Sequence, residues 1–231
     1  MTIPPYLIIG AGRGIGRGIA ERLIAQGLPV ITVARSSEGP AGSLDHILVD
    51  VVKDGLPLER LPETLSGMAY CPGSIDLKPF RSMRVEDLRN ALEVNLVGAF
   101  RCAQVAAERL KRSPGSSMLF FSTVAVGQGM AFHASVAAAK AGVEGLTRSL
   151  AAELAPTVRV NCIAPSLTNT PLAERLMNSP EKATAAADRH PLKRPGTVVD
   201  MAAMAAFLLG PEAGWISGQV IGVDGGMSRL R

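Results

Sequence analysis

Short apolar runs alternate along this chain with longer segments of helical periodicity. Apolar runs bounded by turn residues predict strands, and they occur at 6–9, 29–33, 47–49, 67–70, 117–121, 158–163 and 220–223. Helical spacing of apolar residues predicts helices at 15–26, 85–112, 134–154 and 198–209. Alternating strands and helices joined by right-handed crossovers build a parallel sheet covered on both faces. We therefore predict one α/β domain over residues 1–231, with a doubly wound parallel sheet.

Two connections in this pattern are short. Residues 36–45 and 54–66 are too few for a full crossover helix. We expect loops or single helical turns there.

Composition narrows the class of protein. Hydrophobic residues make up 47% of the 231 residues and aromatic residues only 4%, which predicts an aliphatic core. The mean hydropathy of +0.23 favours apolar helix faces buried between subunits. No apolar run is long enough to span a bilayer, and the start of the chain lacks the features of a signal peptide. We expect a cytoplasmic protein without membrane contact.

Cysteine and charge exclude further classes. Cys71, Cys102 and Cys162 are widely spaced and form no C-x-x-C pair, so we expect a reducing compartment and no metal site. The net charge of +4 is spread along the chain, which argues against nucleic-acid binding.

A glycine cluster follows the first predicted strand and opens the first predicted helix. Gly10, Gly12, Gly14 and Gly16 permit a tight turn and close approach of the backbone to a pyrophosphate. A helix that begins there points its free N–H groups at the phosphates. We predict a Rossmann-type nucleotide site. A glycine turn that only packs the helix on the sheet is the alternative.

The end of the second predicted strand bears on the choice of cofactor. It reads Val33-Ala34-Arg35-Ser36 and lacks the carboxylate that binds the ribose 2′-hydroxyl of NAD. Arg35, with Arg13 in the glycine loop, can instead meet a 2′-phosphate through charge-assisted hydrogen bonds. We predict NADP(H) in preference to NAD(H). Two solvated surface arginines are the alternative.

Further segments extend the pattern over nearly the whole chain. They are 95–100 (NLVGAF), 135–142 (SVAAAKAG), 159–165 (RVNCIAP), 170–171 (TP), 194–196 (RPG), 215–219 (WISGQ) and 223–226 (VDGG). Together they resemble the short-chain dehydrogenase/reductase family, particularly its 3-oxoacyl-carrier-protein reductase-like members. The resemblance implies catalytic roles for Asn95 and Lys140, with Lys140 also holding the nicotinamide ribose. It implies cofactor contacts from Ile15, Ser36, Asp50, Val51, Gly73, Asn95, Pro165 and Thr170, where Asp50 accepts from the adenine amino group.

The departures from the family pattern cluster at the expected site. Val136 stands where the family has its catalytic tyrosine, four residues before Lys140. The family's catalytic serine precedes that tyrosine by about thirteen residues, which points to Thr123, with Ser122 beside it. The segment 70–73 (YCPG) replaces Asn-Asn-Ala-Gly, and Pro165-Ser166 replaces Pro-Gly. Ile9 replaces a threonine.

Another residue could supply the missing proton. His133 lies seven positions before Lys140 and so nearly on the same helix face, and histidine suits proton transfer near neutrality. His133 could equally cap or pack. Ser135, about 140° away around the helix, Tyr70 and a nucleophilic Cys71 are weaker candidates.

Three functions remain open. The first is an NADP(H)-dependent oxidoreductase of a small carbonyl or alcohol with an atypical acid/base, and the second is a non-catalytic NADP(H) sensor or silent subunit of a hetero-oligomer. The third is a scaffold that binds nothing, and the five matching positions Arg13, Arg35, Asp50, Asn95 and Lys140 argue against it. The resemblance implies a substrate lid over about 166–191, with an apolar wall from Leu172, Leu176 and Met177. It also implies a homotetramer or dimer through the helices 85–112 and 134–154.

Overall fold

The computed structural model describes residues 3–230 and contains one parallel sheet of seven strands. The strands are β1 (Tyr6–Ile9), β2 (Val30–Ala34), β3 (Asp45–Leu48), β4 (Gly67–Tyr70), β5 (Ser116–Phe121), β6 (Val158–Pro165) and β7 (Val220–Val223). Their order across the sheet is β3-β2-β1-β4-β5-β6-β7. The predicted fold class is confirmed, and strand boundaries differ from the prediction by at most two residues.

Seven α-helices connect and cover the strands within the described residues. They are α1 (Gly14–Ala25), α2 (Val85–Leu92), α3 (Gly98–Lys111), α4 (Ala125–Gln128), α5 (Ala134–Leu154), α6 (Pro180–Asp188) and α7 (Val198–Leu209). The segment between β2 and β3 holds no helix, and that between β3 and β4 holds one 3-10 turn, Leu58–Arg60. Both short connections therefore match their prediction.

One predicted helix differs from the structure. The segment 85–112 is not a continuous α-helix, because a π-helical segment, Glu93–Val97, separates α2 from α3. A π-helix bonds each N–H one residue further back than an α-helix does, which widens one turn and shifts the side chains within it. Hydrophobic periodicity does not reveal such a local widening.

Alternate residues of each strand belong to two separate cores. Leu7, Ile9, Met68 and Phe120 pack with residues of α3 and α5 on one face of the sheet. Ile8, with the other strand residues of its face, packs with α1 and α7. Both faces are covered, as a buried parallel sheet requires.

The chain changes its direction of travel across the sheet at β1. From β1 it runs outward through β2 to β3, then returns to β4 on the other side of β1 and continues to β7. The loops that leave β1 and β4 at their carboxyl ends go to opposite faces, which opens a crevice there. In sheets of this kind the crevice is where ligands bind.

Candidate functional site

The glycine cluster forms a tight turn at the mouth of this crevice. Gly10 and Gly14 have φ angles of +84° and +58°, a left-handed backbone that favours glycine. A Cβ atom on Gly16 would lie 2.4 Å from the carbonyl oxygen of Gly10, and one on Gly12 would clash with the hydroxyl of Ser36. The turn therefore depends on several glycines at once.

The first turn of α1 is arranged as an anion site. Arg13 occupies the N-cap with an extended backbone, and no side chain accepts from the first N–H groups of α1 among residues 3–230. The first turn also holds no acidic residue. Free N–H groups and the positive end of the helix dipole favour a phosphate at this place. The residues present thus fit a dinucleotide.

The predicted adenosine-side residues lie on the strands next to the turn. Arg35 and Ser36 directly follow β2, and Asp50 and Val51 follow β3. The Arg35 guanidinium is 72% exposed and lies 3.8 Å from the Asp50 carboxylate, so only a loose ion pair holds it. Asp50 accepts a hydrogen bond from the backbone N–H of Val52 at 3.1 Å, and Val51 is buried.

A cavity of about 260 Å³ lies on the other side of the turn, against β4, β5 and β6. Its lining includes eight of the predicted site residues, namely Ile15, Gly73, Asn95, Thr123, His133, Lys140, Pro165 and Thr170. The predicted residues thus form two neighbouring groups, one around the ends of β2 and β3 and one around this cavity. The glycine turn lies between the groups, so an extended dinucleotide could reach both.

Lys140 is a buried charged group that lines the cavity. It is buried on α5, and its Nζ donates to the carbonyl oxygen of Phe121 at 2.7 Å. Burial lowers the pKa of Lys140 to about 8. An ammonium has three donors, so the bond to Phe121 leaves others for a ligand. A Cβ atom on Gly73 would lie 3.7 Å from this Nζ.

Asn95 lies within the π-helical segment and faces the same glycine. Its amide Nδ2 donates to the carbonyl of Ala91 at 2.9 Å and to the Ser74 hydroxyl at 3.1 Å. Its Oδ1 accepts from the Ser74 backbone N–H at 3.3 Å. A Cβ atom on Gly73 would lie 3.3 Å from that oxygen. Asn95 therefore holds the loop after β4 in place, and Gly73 leaves open the space between Asn95 and Lys140.

The two neighbouring hydroxyls after β5 have different partners. Ser122 donates to the Glu144 carboxylate on α5 at 2.7 Å. Among residues 3–230, Thr123 Oγ1 accepts a single long bond, from the Ala125 N–H at 3.3 Å, and no acceptor takes its own proton. Of the two, Thr123 has the hydroxyl available to a ligand, in line with its predicted position.

Val136 is buried and lines the cavity. The chain contains two tyrosines, Tyr6 and Tyr70, and neither lines the cavity in the described part of the chain. Tyr70 is buried in the core that β4 shares with α3 and α5, and its hydroxyl donates to the carbonyl of Val94 at 2.7 Å. Burial raises the pKa of Tyr70 further from neutrality. The suggestion that Tyr70 supplies the missing acid is therefore wrong.

The other predicted acid and nucleophile candidates differ in what they can do. His133 is half-buried at the start of α5 and lines the cavity, but it does not cap the helix with its side chain. Its Nδ1 lies 2.7 Å from the carbonyl of Ala131. Ser135 is buried away from solvent without a hydrogen-bond partner among the described residues. Burial raises the pKa of the Cys71 thiol to about 12, which disfavours it as a nucleophile.

The segment predicted to be a lid forms one wall of the cavity. It contains α6, and its Leu172 and Leu176 line the cavity, whereas Met177 does not. Four polar residues of this wall had no role in the sequence analysis: Ser166, Thr168, Arg189 and His190. Ser166 was visible as a departure from Pro-Gly, but no local pattern marks His190, because its partner lies 24 residues away.

Residues 3–230 contain neither a candidate membrane span nor a candidate metal cluster. None of the helices there is both long and apolar enough to cross a membrane. No cluster of three or more potential metal ligands occurs in that range either.

The doubly wound parallel sheet, the glycine turn and the cavity around Asn95 and Lys140 define a dinucleotide-binding α/β protein. A family model described as enoyl-(acyl carrier protein) reductase matches residues 58–228. The chain belongs to the short-chain dehydrogenase/reductase family of oxidoreductases.

Individual relatives resemble the chain over nearly its whole length. The 3-oxoacyl-[acyl-carrier-protein] reductase MabA of Mycobacterium tuberculosis is 34% identical over 97% of this chain and 94% of its own. The reductase FabG of Vibrio cholerae, of the same description, is 32% identical over 96% of each chain.

Solved structures agree with these matches. Aldohexose dehydrogenase of Thermoplasma acidophilum superposes with a TM-score of 0.90 at 29% identity, covering 100% of this chain and 96% of its own. A putative NAD(P)-dependent gluconate 5-dehydrogenase of Beutenbergia cavernae, solved with bound NADP, has a TM-score of 0.86 at 27% identity over 98% and 97% of the two chains.

Proposed function

We propose that this protein is an NADP(H)-dependent oxidoreductase of a small carbonyl or alcohol substrate, with an atypical acid/base in place of tyrosine. The observation that carries the proposal is the buried ammonium of Lys140 beside Asn95 and Gly73. A buried charge with spare donors is unfavourable in the absence of a ligand, and such perturbed groups cluster at functional sites.

The preference for NADP(H) rests on Arg13 and Arg35. Both are exposed at the glycine turn and the end of β2, and the loose ion pair of Arg35 with Asp50 leaves its guanidinium free to move. A 2′-phosphate placed there would gain charge-assisted hydrogen bonds, whereas the 2′-hydroxyl of NAD would find no carboxylate at the end of β2.

Calorimetric titration with NADPH and with NADH tests this preference. We expect NADPH to bind at least tenfold more tightly. Arg35→Ala should weaken NADPH binding about 5- to 30-fold, corresponding to about 1–2 kcal/mol for a solvent-exposed charged hydrogen bond, and should leave NADH binding nearly unchanged. Arg89→Ala is the matched control, since Arg89 is 69% exposed and ion-paired to Glu86 on α2. Equal binding of both nucleotides by the unaltered chain would refute the preference.

The cavity residues can divide the remaining work. The nicotinamide, when bound, supplies or accepts the hydride. With the dinucleotide bound, Lys140 would donate to the ribose hydroxyls and Thr123 would donate to the substrate oxygen, while Asn95 holds the loop after β4. Gly73, Pro165 and Thr170 would line the space for the ring. The apolar wall with Leu172 and Leu176 suits an acyl chain, and two relatives are named for reducing 3-oxoacyl groups, so a short 3-oxoacyl thioester is the first substrate to try.

A non-catalytic NADP(H)-binding protein is the second candidate, and the buried hydrocarbon of Val136 in the cavity favours it. Val136→Tyr separates the two functions. A sensor or silent subunit should acquire or greatly increase carbonyl reduction when the hydroxyl is added. An enzyme with another proton donor should gain less than about tenfold or lose activity, since the ring would crowd that donor. Oxidation of NADPH followed by absorbance measures both outcomes.

A further inference from the structure

A serine and a histidine on the cavity wall form a hydrogen-bonded pair. Ser166 follows Pro165 at the carboxyl end of β6, and His190 follows α6. The Ser166 Oγ lies 2.8 Å from the His190 Nε2. His190 is 2% exposed, and both residues line the cavity that also has Lys140 and Thr123 in its lining.

The backbone determines which nitrogen of His190 carries the proton. Nδ1 lies 2.6 Å from the carbonyl oxygen of Ala186, and a carbonyl can only accept a hydrogen bond. Nδ1 is therefore the N–H of the neutral ring, and Nε2 is its acceptor. It follows that the Ser166 hydroxyl donates its proton to His190. This is the arrangement in which an imidazole can act as a base toward a hydroxyl.

The Ser166 hydroxyl also has a second, weaker acceptor. Its Oγ lies 2.9 Å from the Met227 sulfur, and a thioether accepts hydrogen bonds poorly. When His190 is protonated, Nε2–H donates to Oγ and the hydroxyl turns to the sulfur. A substrate oxygen in the cavity would be a stronger acceptor than the Met227 sulfur and would accept the Ser166 proton in its place.

Charged groups of both signs lie around His190. Burial raises the pKa of Asp224, but hydrogen bonds from Ser228 and Gly226 and the nearby His190 lower it more, so the carboxylate stays ionised near the ring. Arg189, next in sequence, and Lys140 across the cavity line the cavity with His190. His133 and Cys71 complete the titratable groups that line this cavity.

We propose that Ser166 is a catalytic hydroxyl that exchanges a proton with the substrate oxygen, and that His190 is the positioning residue that supplies or removes this proton. The inference rests on the proposed function and names the acid/base that it lacks. In the oxidising direction the alcohol O–H bond breaks and its proton passes to Ser166 Oγ, while the Ser166 proton passes to Nε2. The carbon loses its hydride to NADP⁺, the oxidant, and the imidazolium then releases a proton to water.

The first test follows the hydrogen bond without turnover. Nitrogen NMR of the protein in complex with NADPH should find His190 as the Nδ1–H tautomer. Ser166→Ala should shift the Nε2 resonance toward that of an unbonded ring nitrogen while leaving NADPH affinity within about twofold. An Nε2–H tautomer, or a resonance that Ser166→Ala does not move, overturns the pair.

The second test follows reduction of acetoacetyl-CoA and a panel of small ketones. Ser166→Ala and His190→Ala should each lower kcat about 10²-fold or more, with little change in KM. Added imidazole should restore activity to His190→Ala only, which a purely structural role would not allow. Ser117→Ala is the control. Ser117 is a buried serine at the amino end of β5, away from the cavity, and its hydroxyl donates to the carbonyl of Leu209.

The outcomes separate the two proposals. Absence of NADPH binding by the unaltered chain overturns the proposed function, and this inference with it. NADPH binding without reduction of any ketone by the unaltered chain also overturns both and leaves the non-catalytic candidate. Reduction by the unaltered chain overturns the inference alone in two cases, which are unchanged kcat in both variants or a loss that only His133→Ala produces.

Discussion

The buried ammonium of Lys140 should reduce the stability of the folded protein. Burial lowers its pKa from an ordinary value of 10.5 to about 8, and each pKa unit corresponds to about 1.4 kcal/mol. The charge thus destabilises the fold by about 3 kcal/mol at neutral pH. Replacing Lys140 with methionine removes this penalty but leaves the Phe121 carbonyl without its partner, which costs about 1–2 kcal/mol. We expect Lys140→Met to raise the free energy of unfolding by about 1–2 kcal/mol at pH 7.

The pH dependence of this stability difference identifies the buried charge of Lys140 as its cause. Because the folded pKa is the lower one, the unfolded chain binds more protons between about pH 8 and 10.5. The unaltered protein should therefore gain stability from this group as the pH rises through that range. The advantage of Lys140→Met should shrink over the same range and reverse by about pH 10.5, where only the lost hydrogen bond remains.

Urea denaturation at about pH 7, 9 and 10.5, with linear extrapolation, measures this difference. Lys111→Met is the matched control, since Lys111 is exposed and ion-paired to Glu108 on α3; its effect should stay within about 0.5 kcal/mol. A Lys140→Met protein that is less stable than the unaltered chain at pH 7 would refute the reasoning. So would a difference that does not change with pH. The same variant should lose NADPH affinity, because the unfavourable charge of Lys140 serves to bind the nucleotide.

Two further substitutions test the glycine turn and the role of Tyr70. Gly16→Ala should destabilise the fold by about 1–3 kcal/mol and weaken NADPH binding at least tenfold, because its Cβ would lie 2.4 Å from the Gly10 carbonyl oxygen. Gly145→Ala, in open space on α5, is the control and should instead stabilise the fold by about 0.5–1 kcal/mol. Equal effects of the two substitutions in thermal melts would contradict the argument. Tyr70→Phe should lower the free energy of unfolding by about 1–2 kcal/mol, because it leaves the Val94 carbonyl unpaired. It should leave the rate of ketone reduction unchanged. A large fall in kcat would mean that Tyr70 takes part in the reaction.

Self-association stays a prediction. The large hydrophobic residues exposed on the predicted interface helices are Val85 and Phe100. Val199 and Phe207 on α7, and Trp215 beyond it, are also exposed, with Trp215 fully so. The structure therefore offers a second apolar face, around α7, that the sequence analysis did not name.

Much of the fold was readable from local pattern. Strands β1, β4 and β7 and helices α5 and α7 begin and end at the predicted residues, because a strand buried on both faces and a covering helix each leave a clear apolar signature. The π-helical turn around Asn95 was not readable, since a single widened turn barely changes the apolar periodicity. Its spacing from Val136 was enough to select Thr123 over Ser122 as the hydroxyl available to a ligand. Only the structure shows that the Ser122 hydroxyl donates to Glu144.

The sequence by itself determined the α/β class, the glycine turn, the two arginines and the hydrocarbon at Val136. Each of these depends on residues within a few positions of one another. Only the tertiary structure decided that Tyr70 faces away from the cavity and that Ser166 meets His190. Those contacts join residues 24 positions apart in each case, and the positions that the π-helical segment and α6 take in the fold set them.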